Sequence, residues 1–565
     1  MTHRHLAGRL AWGLLAFSFP AWAGIADTLH NLTPTGPGTV KETGANELCV
    51  FCHTPHNANP RQSLWNRDVP GTVYTLYESS TLYAEPGQPT GTARLCLSCH
   101  DGTLALGSLR VPARTGPTTL GTLTGQAVLG MDLSDDHPVS FRYDAALALT
   151  HGELADPSTL VQKIRLDKTG QLQCTACHDP HDNPYRKFLT ADDRGGALCI
   201  ACHQQRNWTA SIHATSQATW QGSGPNPWPH TPYTTVADNA CENCHRPHAA
   251  PHPPRLLNSL QERDVCLVCH NGNVATHNLE TEFLKTSAHP VFAAEWSHEP
   301  LEVPSTMPRH VACVDCHNPH EATDTLASPP VASGRLRGVS GVTLTGGTVS
   351  EASYEYEVCL KCHGMRDETT LSVVRHDNTR NIRLKIDPNN PSYHPVADVG
   401  KAPHVTGFEP GTGLSAGSMI YCTDCHNNDE WTVSGTQPRG PHGSQYAPLL
   451  ERNFAMNDPN PESFQSYALC YKCHNRSFLI TDQANTFPHG EHLGPDVNAS
   501  CAVCHDAHGS REYKGLINFM RFDKLGSSVV TPSSSGRLEF VDSGPGRGSC
   551  YLTCHGKNHD PEEYP

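Results

Sequence analysis

The stretch CVFCHTPH, residues 49–56, places two cysteines and two histidines within eight positions. Its first five residues follow the pattern CxxCH, and that pattern recurs along the whole chain. In order, the first six copies are Cys49, Cys52 and His53; Cys96, Cys99 and His100; Cys174, Cys177 and His178; Cys199, Cys202 and His203; Cys241, Cys244 and His245; and Cys266, Cys269 and His270. Five more follow: Cys313, Cys316 and His317; Cys359, Cys362 and His363; Cys422, Cys425 and His426; Cys470, Cys473 and His474; and Cys501, Cys504 and His505. The twelfth, CYLTCH, has one extra residue between Cys550 and Cys554, ahead of His555. These twelve motifs use all 24 cysteines. From composition alone roughly 0.06 CxxCH copies would arise by chance.

Zinc ribbons use CxxC pairs but do not require a histidine directly after each one. Disulfides would likewise leave twelve histidines unexplained. Covalent haem attachment explains every position. Two thiols three positions apart reach the two vinyl groups on one edge of a haem, and the next residue lies beneath the iron as an axial ligand. The sequence therefore predicts twelve covalent haems c. Only 37% of residues are apolar, while 46 are Gly and 45 Pro, so large conventional cores are not expected. The predicted fold is mostly irregular chain with short helices and few short strands, wound around the haems.

Residues 1–23 read as an export signal: Arg4 and Arg9 flank a short apolar run that ends in Ala21-Trp22-Ala23. The run is too short to span a bilayer, and no later stretch reaches spanning length. The mature chain is therefore expected to be exported, to the periplasm, the outer membrane or the cell exterior, without a membrane span of its own. Formal charge is −15, and loss of Arg4 and Arg9 makes it −17, which argues against nucleic acid as a partner.

The motifs alternate, marking six dihaem units at 24–130, 131–205, 206–285, 286–375, 376–485 and 486–565. Five first members carry a second histidine three positions on: His56, His181, His248, His320 and His508. The sixth reads CHNND and lacks it; His442 in GPHGS is its expected replacement. Second members instead have an apolar residue before the first cysteine in five of six cases, Leu95, Leu198, Val265, Val358 and Leu469. Upstream of the units lie His30, the His-Pro-Val histidines His137, His289 and His394, and the Pro-His histidines His230 and His489. Together these twelve give every iron a second imidazole. His151, His213, His310, His376, His404 and His492 compete for the upstream positions, with His213 against His230, His310 against His289 and His492 against His489 left open.

His56 lies one helical turn from His53 and on the same side of the chain. The axial ligands of one haem occupy opposite faces, so a segment this short cannot serve both. His56 is expected to reach the iron of a different haem, and the same logic extends to its four counterparts.

The pairing of CxxCHxPH with a plainer CxxCH resembles the doubled-CxxCH multihaem c-type cytochromes, over nearly the whole mature chain. The resemblance implies an irregular polypeptide around a continuous haem chain. It also implies redox partner proteins, an outer-membrane porin, or self-assembly into filaments. The expected function is electron conduction without substrate turnover, since no CxxCK motif marks an open iron. A multihaem reductase and a filament-forming cytochrome are the alternatives.

Overall fold

Frequent glycine and proline, with few apolar residues between them, keep the regular elements short. The computed structural model describes residues 24–564, except 61–63, 114–119, 162, 294–297, 301, 309, 366–372, 403–406, 431–437 and 483–486. The expected export signal and His404 lie outside the described residues. Most of what is described is irregular chain, in line with the sequence. The longest described helices are Gly91–His100, Glu262–His270 and Glu355–His363, and each ends on a motif histidine. In the last of these, Glu357 accepts from the backbone N–H groups of Ser353 and Tyr354 at 2.8 and 3.1 Å. That satisfies donors which a helix start would otherwise leave open. Its Tyr356 and Leu360 pack on Val342 and Ile386. No described helix is long and apolar enough to cross a membrane.

The chain divides into two compact units. One takes in residues 24–77, 83–193 and 197–202; the other takes in 78–82, 194–196 and 203 onward. Neither has a single large core. Small apolar clusters form instead, and six of them pack against a motif cysteine: Cys52 and Cys99, Cys202, Cys269, Cys316, Cys422, and Cys504 with Cys554. The apolar residues thus gather around the motifs. At the chain end the strands Val530–Thr531, Glu539–Gly544, Arg547–Cys554 and Lys557–Tyr564 form an antiparallel sheet.

Elsewhere the sheets are only two residues long, and their placement is systematic. Ser287–Ala288, just before His289, pairs with Gly443–Ser444, just after His442. Ser392–Tyr393, just before His394, pairs with Gly509–Ser510, just after His508. A single bridge joins Gly24 to Asp182, next to His181, and Ile212 N–H donates to the Ala322 carbonyl, close to His213 and His320. These four contacts each seat an upstream histidine near the second histidine of the following unit. Gly443 also lets the helix Leu279–Phe283 come close, because a Cβ there would stand 1.7 Å from the Glu282 carbonyl oxygen. Gly443→Ala is expected to cost about 2–4 kcal/mol, measured by guanidinium unfolding followed in the Soret band. An unchanged midpoint would show that this contact yields freely.

Candidate haem-binding sites

Every CxxCH motif spans one turn of chain, most often a single helical turn such as Cys49–Phe51, Cys174–Cys177, Cys313–Asp315 or Cys501–Cys504. One turn sets residues three apart side by side, the arrangement two adjacent thioethers require. The histidine then closes the turn: His53 N–H donates to the Cys49 carbonyl at 2.8 Å, and His245 to Cys241 at 2.9 Å. The imidazole is oriented from behind. Nδ1 of His100, His178, His245, His317, His426 and His505 faces a backbone carbonyl at 2.7–3.1 Å. With the proton on Nδ1, the Nε2 lone pair is left for a metal. Burial pushes His270, His426 and His505 down to about 4, which keeps those three rings neutral.

The spacing of the opposing rings tests the fit to haem. Taking about 2 Å for the metal–nitrogen bond and about 1.1 Å from nitrogen to ring centre, two imidazoles on opposite sides of one iron stand about 6.2 Å apart. Nine motif histidines face a second imidazole at 6.0–6.5 Å: His53 with His181, His100 with His30, His245 with His320, His270 with His213, His317 with His442, His363 with His289, His426 with His508, His474 with His394, and His505 with His489. The residues present fit a six-coordinate, bis-histidine haem.

These pairs follow a rule. A first-member haem is faced by the second histidine of the next unit, as with His181, His320, His442 and His508. A second-member haem is faced by the upstream histidine of its own unit, as with His30, His213, His289 and His394. The two ligands are tied together: Nδ1 of His30, His213 and His289 points at the carbonyls of Pro180, Pro319 and Pro441 at 3.3, 3.0 and 2.7 Å, and His394 does the same with Ala507. Each accepting residue directly precedes the neighbouring ligand. Ring orientation also alternates. Interplanar angles are 4–25° at the first-member pairs and 39–85° at the second-member pairs.

Consecutive motifs also meet through their sulfur atoms, which stand here as thiols for the thioethers of the mature protein. Cys96 lies in hydrogen-bonding contact with Cys174, Cys266 with Cys313, Cys359 with Cys422, and Cys501 with Cys470. Each contact joins the second motif of one unit to the first motif of the next. Within two units a lysine links the two motifs: buried Lys361 donates from Nζ to the Asp315 carbonyl, and half-buried Lys472 to the Asp424 carbonyl at 2.7 Å.

Several histidines stand elsewhere than the sequence suggested. His213, not His230, faces His270. It sits on Ile212–Thr215, capped by Ser211, and lacks the neighbouring proline that marked the others. Its spacing before the first cysteine of its unit, 28 residues, equals that of His394 and was the available signal. His489 faces the first motif of its own unit, where the rule would place an upstream histidine opposite the second. His56 is exposed, and among the described residues no ring faces it. His137 turns Nδ1 to the Pro138 carbonyl at 3.0 Å, and His248 is half-buried. Of the competitors, His376 contacts Glu512 at 3.3 Å, and His492 turns to the Pro488 carbonyl at 2.9 Å.

The twelfth motif departs from the rest. Cys550 and Cys554 lie on the strand Arg547–Cys554, where four residues of rise separate them by about 13 Å. His555 Nε2 contacts the Asp458 carboxylate at 3.0 Å, and among the described residues no imidazole faces it. As folded, this motif does not share the one-turn geometry of the other eleven.

A sequence profile for the doubled CXXCH motif matches residues 168–207 and 230–275, which hold the third to sixth motifs. No curated protein matches the chain. The profile recognises the motif pairs of these two regions, and the facing imidazoles fit the same chemistry: residues 168–207 and 230–275 carry the doubled CXXCH motif, consistent with a multihaem c-type cytochrome.

Proposed function

We propose that the protein is an exported electron-transfer conduit carrying twelve haems, without substrate turnover. The observation that carries this reading is the contact between sulfur atoms of successive motifs, from Cys96 with Cys174 to Cys470 with Cys501, which sets the cysteine-bearing edges of neighbouring haems against each other. Haem iron supplies a one-electron carrier that cycles between ferric and ferrous forms. At nine motifs the chain's own residues offer an imidazole on each side of the position an iron would take, which would leave no coordination site there for a small substrate. Redox partner proteins on either side, an outer-membrane porin among them, suit such a conduit. Intact mass is expected to count twelve haems, and a count of eleven would remove Cys550, Cys554 and His555 from the set. Electron paramagnetic resonance of the oxidised protein is expected to show two low-spin populations, from the near-parallel and the tilted pairs. A stoichiometric high-spin signal from any of the first eleven motifs would overturn the conduit.

A second reading, self-association, is supported by the two ends of the repeat. His56 is exposed and faces no ring among the described residues, and His555 of the twelfth motif meets Asp458 with no facing imidazole among the described residues. His56 of one copy and the twelfth haem of another are complementary, and such a head-to-tail contact builds open chains or rings. Electron microscopy and sedimentation at high concentration are expected to show assemblies that His56→Ala abolishes. Monomers throughout, with a high-spin twelfth haem unaffected by His56→Ala, would favour the reductase instead.

A further inference from the structure

Four side chains outside the haem ligand set converge on one point. His298, Glu302, His310 and Asp315 each offer one donor atom, and all four donors lie within 4.8 Å of one another. His298 Nδ1 is 3.1 Å from Glu302 Oε1 and 3.2 Å from Asp315 Oδ1. His310 Nε2 is 3.3 Å from the same Glu302 oxygen and 4.0 Å from Asp315 Oδ2. Donors around one tetrahedral ion with bonds of about 2.0 Å stand about 3.3 Å apart. Side-chain exposures are only 16, 14, 11 and 8% in chain order.

The short distances are not ordinary hydrogen bonds. His298 Nδ1, Glu302 Oε1 and His310 Nε2 are buried, and none has a hydrogen-bond partner of acceptable geometry. Leaving three such atoms unsatisfied at one point is costly unless something binds them together. The surroundings are arranged for ligation. His310 Nδ1 faces the Pro308 carbonyl at 2.9 Å, which leaves Nε2 as the free donor. Asp315 Oδ2 accepts from the Ala312 N–H at 2.6 Å, which holds the carboxylate in place.

A haem does not fit this site. The two rings are 6.1 Å apart, close to an axial pair, but Glu302 Oε1 stands between their nitrogens, where the porphyrin plane would pass. We propose that His298, Glu302, His310 and Asp315 bind a divalent cation of the zinc class. Two imidazoles and two carboxylates suit a borderline ion in four-coordination, and magnesium would ask for more oxygen and water. Asp315 also sits inside CVDCH, between Cys313 and Cys316 and two residues before His317. On the haem reading above, the ion lies beside haem seven and cancels the charge of two carboxylates there. Its removal is expected to lower the potential of that haem, because uncompensated negative charge favours ferric iron.

The test uses the haem-loaded full chain, stripped with a chelator, incubated with zinc chloride and desalted. Elemental analysis is expected to find one zinc per chain, and zinc K-edge absorption only nitrogen and oxygen neighbours at about 2.0 Å. Glu302→Gln is expected to lose the zinc while keeping its iron content and Soret spectrum. Iron content reports the haem reading separately, so the two ideas fail independently. No retained zinc, sulfur neighbours, or full retention by Glu302→Gln would each overturn the site and leave a cluster of ion pairs. If Glu302→Gln does not fold, the absorption spectrum of the natural chain decides.

Discussion

His442→Ala is expected to convert one haem per chain to high spin, and that haem is the seventh, not the ninth. His442 follows the ninth motif in sequence, yet its ring stands 6.2 Å from His317 of the seventh. The residue is half-buried, and desolvation with neighbouring imidazoles pushes it down to about 3, so it serves as a neutral donor. Removing it leaves the seventh iron with one protein ligand. His442→Met, which substitutes a thioether, should instead keep the iron low-spin and raise its potential, on the order of 0.1–0.2 V within the span of about 0.8 V that axial ligands cover. The assignment can be checked without resolving individual haems. His317 and His442 act on one iron, so the double variant to alanine should add no second altered haem. His426→Ala combined with His442→Ala should alter two. Two altered haems in the first double variant would break the rule by which each unit serves the one before it.

Arg67→Met is expected to destabilise the first compact unit by about 3–5 kcal/mol. The Arg67 side chain is almost wholly buried, with the residue only 1% exposed. Its guanidinium donates to the carbonyls of Leu106, Ser98 and Ala105 at 2.5, 3.0 and 2.9 Å. A methionine fills similar space but leaves three acceptors without these donors. The charge has a second effect, because it acts on Cys52 and Cys99, which attach the first two haems. A fixed cation there favours the less positive ferrous iron, so both potentials should fall when it is removed. Chemical unfolding and a redox titration read the two effects apart. A loss below 1 kcal/mol with unchanged potentials would show that Arg67 is neither a structural tie nor a charge felt by these haems.

Covalent chemistry made much of this architecture legible, because an attachment motif is local: five consecutive residues contain all it needs. The histidine three positions on was also readable, since a short segment cannot reach the far face of its own haem. His181, His320 and His508 stand opposite haems other than their own. What the sequence did not show depends on pairing between distant segments. His213 is placed by the bond from Ile212 N–H to the Ala322 carbonyl, and no residue beside it announces that contact. The minimal ladders were likewise unreadable. Two residues such as Gly443-Ser444 carry no periodicity, and their meaning comes only from the partner strand. The twelfth motif was misleading for the opposite reason: its composition fits haem attachment, but its local fold is a strand.

The direction in which histidines are lent also sets an order in time. A chain emerges from its N-terminus, so His30 is present before His100, and His213, His289 and His394 likewise precede the motifs they face. His53 must wait for His181, His245 for His320, His317 for His442, and His426 for His508. Of the nine facing pairs, those of His100, His270, His363 and His474, and that of His505, which follows His489, would have both rings as soon as the motif is made. The other four would lack their second ring until the next unit has arrived. A chain interrupted after one of those four motifs would carry one unfinished site as a record of where it stopped.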